Sequence, residues 1–222
     1  MVRSPHHVAR ERATYEGNTR PARAATFACA RPSLPGFARY GVRVTLPTMA
    51  DALELLTFLF GDGGAIPNNP RLPVLVYKRA GAAHVHDPEA LAAWFETTWP
   101  KHNWHAAWRW GVYDFPHYHS TAHEVLGVYR GRASLRLGDS AGATLVVEAG
   151  DMIVLPAGTA HQNLGASEDF HVVGGYPDGE EADLLRGRDG ERPAADARIA
   201  RVPLPKADPL AGARGALVQQ WL

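Results

Sequence analysis

The sequence predicts an all-β fold, a closed barrel or sandwich of short strands with one short amphipathic helix, and three observations lead there. Between Trp104 and Pro177, six short stretches of β-branched, aromatic and aliphatic residues alternate with turn-forming residues, the pattern of a barrel rather than a bundle. The 22 Gly and 17 Pro among 222 residues suit frequent turns better than long helices. A chain that is 45% hydrophobic and 21% charged fits one substantial core.

Taken in order, residues 1–48 hold eight Arg, no Lys and two Glu, leaving 15 basic against 21 acidic residues beyond them. Rich in Arg, Ala and Pro, and lacking sustained alternation or a helical stripe, this segment is expected to be a disordered leader. An Arg-rich, acid-poor leader also suits a transit peptide or a nucleic-acid-binding arm. No motif supports either, and no nucleic-acid partner is expected. An apolar run reaching Phe60 precedes a glycine turn at 61–64, which is no phosphate loop because no Gly-Lys-Ser/Thr follows. A strand is expected at 72–77. Asp87 is a good N-cap, Pro88 suits the first helical position, and Leu91, Trp94, Phe95 and Trp99 recur at helical spacing, so a helix is predicted over 88–99 and ended by Pro100. The six strands are expected at 106–115, 125–130, 133–137, 144–148, 152–155 and 170–175. Beyond Asp178 the chain is polar until Val202, and Leu217, Val218, Trp221 and Leu222 are expected to clasp the barrel from outside. Cys29 is the only cysteine, which excludes an internal disulfide. No apolar run approaches the ~18 residues of a membrane span, and the N-terminus has no secretory core, so a cytoplasmic location without a membrane partner is expected.

The residues that carry chemistry lie between Gly111 and Asn163. His117 and His119, two apart, share one face of a strand and can chelate one ion. Glu124 has the wrong parity for that strand, but the turn-like Ser120, Thr121 and Ala122 allow it to arrive from the next antiparallel strand. His161 follows the apolar stretch 152–155 and the turn Pro156-Ala157-Gly158, and would be a fourth ligand. Imidazoles with one carboxylate suit iron, manganese, nickel, copper or zinc, whereas calcium and magnesium prefer all-oxygen shells. His123, next to Glu124, should face the other side of its strand and serve packing. His84 and His86 form a second pair, but Leu91 stands where a glutamate would be needed, so an exposed loop is expected. There is no second copy of the ligand set, hence one barrel rather than two.

These residues resemble the two motifs of the cupin superfamily. Gly111, His117, His119, Glu124 and Gly131 match the first motif, and Gly150, Pro156, Gly158 and His161 match the second. The second motif's asparagine stands at Asn163, with Gly165 at the usual place. The stretches HYHSTAHEVLGV from His117, IPNNPRLPVLVY from Ile66 and VVGGYPDG from Val172 are similar, more narrowly, to the YjlB-like bacterial single-domain cupins, from about Met49 to the C-terminus. Met49 is accordingly read as the point where translation starts. The resemblance implies a double-stranded β-helix (jelly-roll) barrel over 49–222 with its core at about 104–177. It also implies one divalent transition metal, with Fe or Mn ahead of Ni, Zn or Cu, and a homodimer as a common assembly; it supplies no substrate.

Arg109, Tyr113 and Phe115 share the parity of His117 on a regular strand and could line a pocket, Arg109 as a fork for a substrate carboxylate or phosphate. Asn163 and His171 are further pocket candidates, His171 as a residue supporting a ligand. Three His and one Glu leave coordination positions open for water, dioxygen or a substrate oxygen. The leading expectation is therefore a metal-dependent enzyme, an oxygenase or isomerase, acting on a small polar metabolite. The rival is a small-molecule- or sugar-binding barrel, or a sensor, whose metal is structural.

Overall fold

The structure, a computed structural model, describes the backbone of residues 42–45 and, in full, residues 53–81 and 87–222. His84, His86, Cys29 and most of the expected leader lie outside the described residues. Within that leader, β1 (Val42–Thr45) pairs antiparallel with β2 (Glu54–Phe58). The strands that follow are β3 (Val74–Lys78), β4 (Trp104–Trp110), β5 (Glu124–Arg130), β6 (Arg132–Leu137), β7 (Ala143–Glu148), β8 (Met152–Leu155), β9 (His161–Ala166) and β10 (His171–Pro177). They form two antiparallel sheets, one in the order β1-β2-β3-β8-β5-β10-β4 and one in the order β7-β6-β9.

The large sheet is covered on both faces, and β5 shows how the sequence arranges it. Val125 and Tyr129 face outward into a cluster with Phe95, Trp99, Trp104, Leu217 and Trp221. Leu126 and Val128 face inward, against Leu135, Leu137 and Val147 of the small sheet. Strict alternation therefore divides one nearly all-buried strand between two cores. Gly127 belongs to the outer set: a Cβ there would lie 2.8 Å from the Phe95 ring, so glycine lets the helix α1 (Pro88–Thr98) seat against the sheet.

Asp87 caps α1 through its carboxylate, which accepts from Ala90 N at 2.7 Å. The helix stops at Thr98, and Trp99–His102 continues as a 3-10 turn that contains Pro100 and ends at left-handed Asn103. Near its end the chain adds two short helices that its composition does not announce, α2 (Ala194–Ile199) and α3 (Ala216–Trp221). The second is pinned by the buried Asp208, which accepts from Tyr77 Oη at 2.5 Å and from Leu217 N at 2.9 Å. Trp221 Nε1 donates to Pro73 O at 2.9 Å, so the C-terminal segment lies on the outer core. No helix among the described residues is long and apolar enough to cross a membrane.

Two expectations about strands need correction, and both bear on the site. The strand expected at 106–115 runs from Trp104 to Trp110 and then stops. Its partner β10 pairs no further than Val172 with Trp110, and Pro116, which has no N–H, interrupts the way to His117. The strand β9 was not expected: HQNLGA has too little apolar character to register as buried, yet it pairs with β6 over Leu137↔His161 to Ala133↔Ala166.

Candidate metal centre

The site forms where three short backbone ladders meet at one end of the barrel. His117 and His161 exchange backbone hydrogen bonds, His117 N to His161 O at 3.2 Å and His161 N to His117 O at 2.9 Å. His119 O accepts from Gly158 N at 2.8 Å, which ties the first histidine segment to the turn before β9. Glu124 opens β5 and pairs with Leu155 of β8. On the inner face of β5 it continues the row of Leu126 and Val128, so its carboxylate points into the barrel.

One nitrogen from each of His117, His119 and His161 lies within 4.8 Å of the others, and His117 and His161 are almost fully buried. Oε2 of Glu124 lies 3.4 Å from His119 Nε2 and 3.2 Å from His161 Nε2. That oxygen is buried and makes no well-aligned hydrogen bond. A carboxylate oxygen left in this way beside inward-facing imidazole nitrogens is what a cation would satisfy. The outer ring nitrogens agree: Nδ1 of His117 faces Phe115 O at 3.2 Å, and Nδ1 of His119 contacts Asp183 O. An imidazole that donates its Nδ1–H to a carbonyl keeps the Nε2 lone pair for a metal. The residues therefore fit a transition-metal ion with nitrogen ligands and one carboxylate.

At His117 and Glu124 the electrostatics favour the same state. Burial, followed by the repulsion of His161 and His119, pushes His117 down to about 2, so it stays neutral and able to ligate. Burial alone would raise the Glu124 carboxyl, but the neighbouring His119 and His161 outweigh it and hold the group below the usual carboxylate range. His119 is raised, because Glu124 and the Asp183 carbonyl outweigh its burial.

The expected pocket residues divide between the two faces of the sheet. The rings of Tyr113 and Phe115 stack on each other at 4.7 Å and pack edge-on against His117 at 5.1 and 5.8 Å. Tyr113 lines the cavity above the centre, and Phe115 buttresses from behind with Arg186 over its ring at 3.7 Å. Arg109 does line the cavity, though not by shared parity with His117, since the strand ends at Trp110 and the next six residues reset the direction. Its guanidinium lies at the outer rim, bidentate to Glu96 at 2.6 and 2.7 Å and 2.6 Å from Glu89, both on α1. His171 also faces outward, its ring 6.0 Å from Tyr129 and its Nδ1 on Asp169 O. Asn163 uses its side chain on Gly165 N at 2.8 Å and its backbone N–H on Tyr113 O at 2.8 Å, so it braces the loop rather than lining the cavity. His123 faces away from the centre, as its parity requires. It accepts from Ala157 N at 3.0 Å and packs 4.8 Å from Trp221, and burial lowers it to about 4.

Two residues outside the expected set complete the site. Tyr176 on β10 shares the inner face with Gly174, and its hydroxyl accepts from Trp108 Nε1 at 3.0 Å. Its ring stands 6.4 Å from His119. Burial, and then the Glu124 charge beside it, raise the Tyr176 hydroxyl well above the usual range, so it stays protonated. Trp108 reaches it only because its partner across the ladder is Gly174. The signal lay in the VVGGYPDG stretch, whose paired glycines leave room for a large neighbour across the ladder.

Sequence comparison agrees with this architecture. A model of the family described as "Cupin" matches residues 112–182. The chain is 38% identical over 169 residues, 76% of its length, to "Uncharacterized protein YjlB" of Bacillus subtilis (strain 168), and the match spans 98% of that protein. The chain belongs to the cupin superfamily. Among solved structures, this cupin is similar to an uncharacterized conserved protein with a double-stranded β-helix domain from Klebsiella pneumoniae, at 14% identity and TM-score 0.29, covering 67% of this chain and 80% of that one. It is also similar to procruciferin, an 11S globulin from Brassica napus, at 17% identity and TM-score 0.29, covering 60% of this chain. This cupin spans about a quarter of procruciferin, 26%.

Proposed function

We propose that this cupin is a metal-dependent enzyme that acts on a small metabolite through oxygen donors, with His117, His119, Glu124 and His161 as the ligands of one divalent transition metal, iron or manganese first. The observation that carries the proposal is the convergence of three imidazoles and one buried, unsatisfied carboxylate oxygen at the floor of a cavity of about 870 Å³. A cage serving only structure is closed by protein on all sides, whereas a catalytic one opens on space for a ligand. A divalent ion bound there supplies a Lewis acid or, as iron, a centre for dioxygen chemistry.

The chain's own residues do the rest. Tyr176 keeps its proton and can donate to an oxygen at the floor of the cavity, because Trp108 Nε1 occupies a lone pair of its hydroxyl rather than its hydrogen. Tyr113, Val112 and Leu126 supply apolar wall beside these polar groups. The test is oxygen uptake by Fe(II)-loaded protein offered a panel of small thiols, catechols, diketones and hydroxy acids. Turnover that Glu124→Ala abolishes supports the proposal. A compound that shifts the melting temperature but is never turned over, with any metal, supports a binding protein instead.

A further inference from the structure

Three features of the cavity restrict what it accepts. Arg109 is the single permanent cation among the described residues that line it, and its guanidinium is occupied by Glu96 on two nitrogens and by Glu89 on a third. A phosphate or free carboxylate on a ligand would have to displace these partners and approach two carboxylates. The second feature is aromatic wall. Trp108 and Trp110 alternate onto the inner side of β4, and Tyr113 follows; Trp110 is 69% and Tyr113 36% exposed, so both rings have face available at the cavity. The third is the polar group at the barrel end of the cavity, the histidine–glutamate cluster and the Tyr176 hydroxyl.

We propose that the cavity takes a flat, uncharged aromatic ring with adjacent oxygen substituents, the oxygens directed at the histidine–glutamate cluster and Tyr176, and the ring against Trp110 and Tyr113. The inference rests on the proposed metal centre and names its ligand class. Stacked aromatic pairs gain beyond area burial, so Trp110 acts as a specificity-determining residue and Tyr176 as a hydrogen-bond donor to one ligand oxygen. Because Trp110 is exposed, its replacement leaves the barrel core untouched.

The test is equilibrium binding to the full-length, Mn(II)-loaded protein under anaerobic conditions, with 4-methylcatechol as the aromatic probe and phosphoglycolate as the aliphatic anion. 4-Methylcatechol should bind at least tenfold tighter. Trp110→Ser should weaken it about three- to tenfold, and Tyr176→Phe by a similar factor, with metal content and oligomeric state unchanged in both. Phosphoglycolate binding as tightly, 4-methylcatechol affinity unaffected by Trp110→Ser, or a change of oligomeric state in Trp110→Ser would each overturn the inference. Failure of the metal reading looks different: wild-type protein then holds no manganese, and any Trp110-dependent binding of the probe proceeds without it.

Discussion

Replacing Gly174 by alanine should damage the site from a position that touches no proposed ligand. An alanine Cβ there would lie 2.1, 2.2 and 2.6 Å from Cζ2, Cε2 and Cη2 of Trp108. Real contacts of that kind do not occur, so the indole must swing away. A half-buried indole can do so, but it then abandons the 3.0 Å bond from Nε1 to Tyr176. Overpacking of this type costs about 1–3 kcal/mol, the lost hydrogen bond about 1 kcal/mol, and the alanine returns roughly 0.5–1 kcal/mol through the backbone. The expected net loss is about 1–3 kcal/mol, a drop in melting temperature of roughly 3–10 °C for a chain of this size. Circular-dichroism melts with tryptophan fluorescence of the native state read both the stability and the displaced indole. Gly165→Ala is the control, because nothing lies within 4 Å of the point its Cβ would occupy. A Gly174→Ala protein that melts with wild type and keeps its fluorescence would refute the reasoning about how Tyr176 is held.

Other perturbations separate fold from site. Asp208→Ala strands Tyr77 Oη and Leu217 N in the outer core; at ~1–3 kcal/mol for each buried orphan, it should cost about 2–5 kcal/mol by denaturant titration, and a loss below about 1 kcal/mol would show that the C-terminal clasp is slack. His123→Ala removes the acceptor of Ala157 N and the ring beside Trp221, so it should lower stability by about 2–4 kcal/mol while metal analysis stays at the wild-type value. A protein beginning at Met49 retains every proposed ligand and loses the β1–β2 pairing; metal analysis should match wild type, with melting lower by a few degrees.

The proposed ligands were legible because a chelating arrangement leaves a local trace: two residues apart on one backbone segment, then a carboxylate beyond a turn. The helix start was legible for the same reason, Asp87, Pro88 and Glu89 acting within one turn. The strand Met152–Leu155 could be read as a buried run because it lies between two strands of the large sheet, β3 and β5. Arg109 reaches the cavity as expected, but parity could not foresee its role, because Glu96 and Glu89 on α1 already hold its guanidinium. Tyr176 was missed because its role depends on Trp108 across the ladder, 68 residues away in sequence. Polar β9 is a strand by virtue of its partner β6, not its own composition.

The most direct test of the metal centre is elemental analysis of protein purified without a metal-affinity tag, comparing wild type with His117→Ala, His161→Ala and Glu124→Ala. The convergence of these side chains predicts about one transition-metal ion per wild-type chain and a large loss in each variant. A wild-type protein without transition metal, or variants of His117 and His161 that keep a full equivalent, would contradict it.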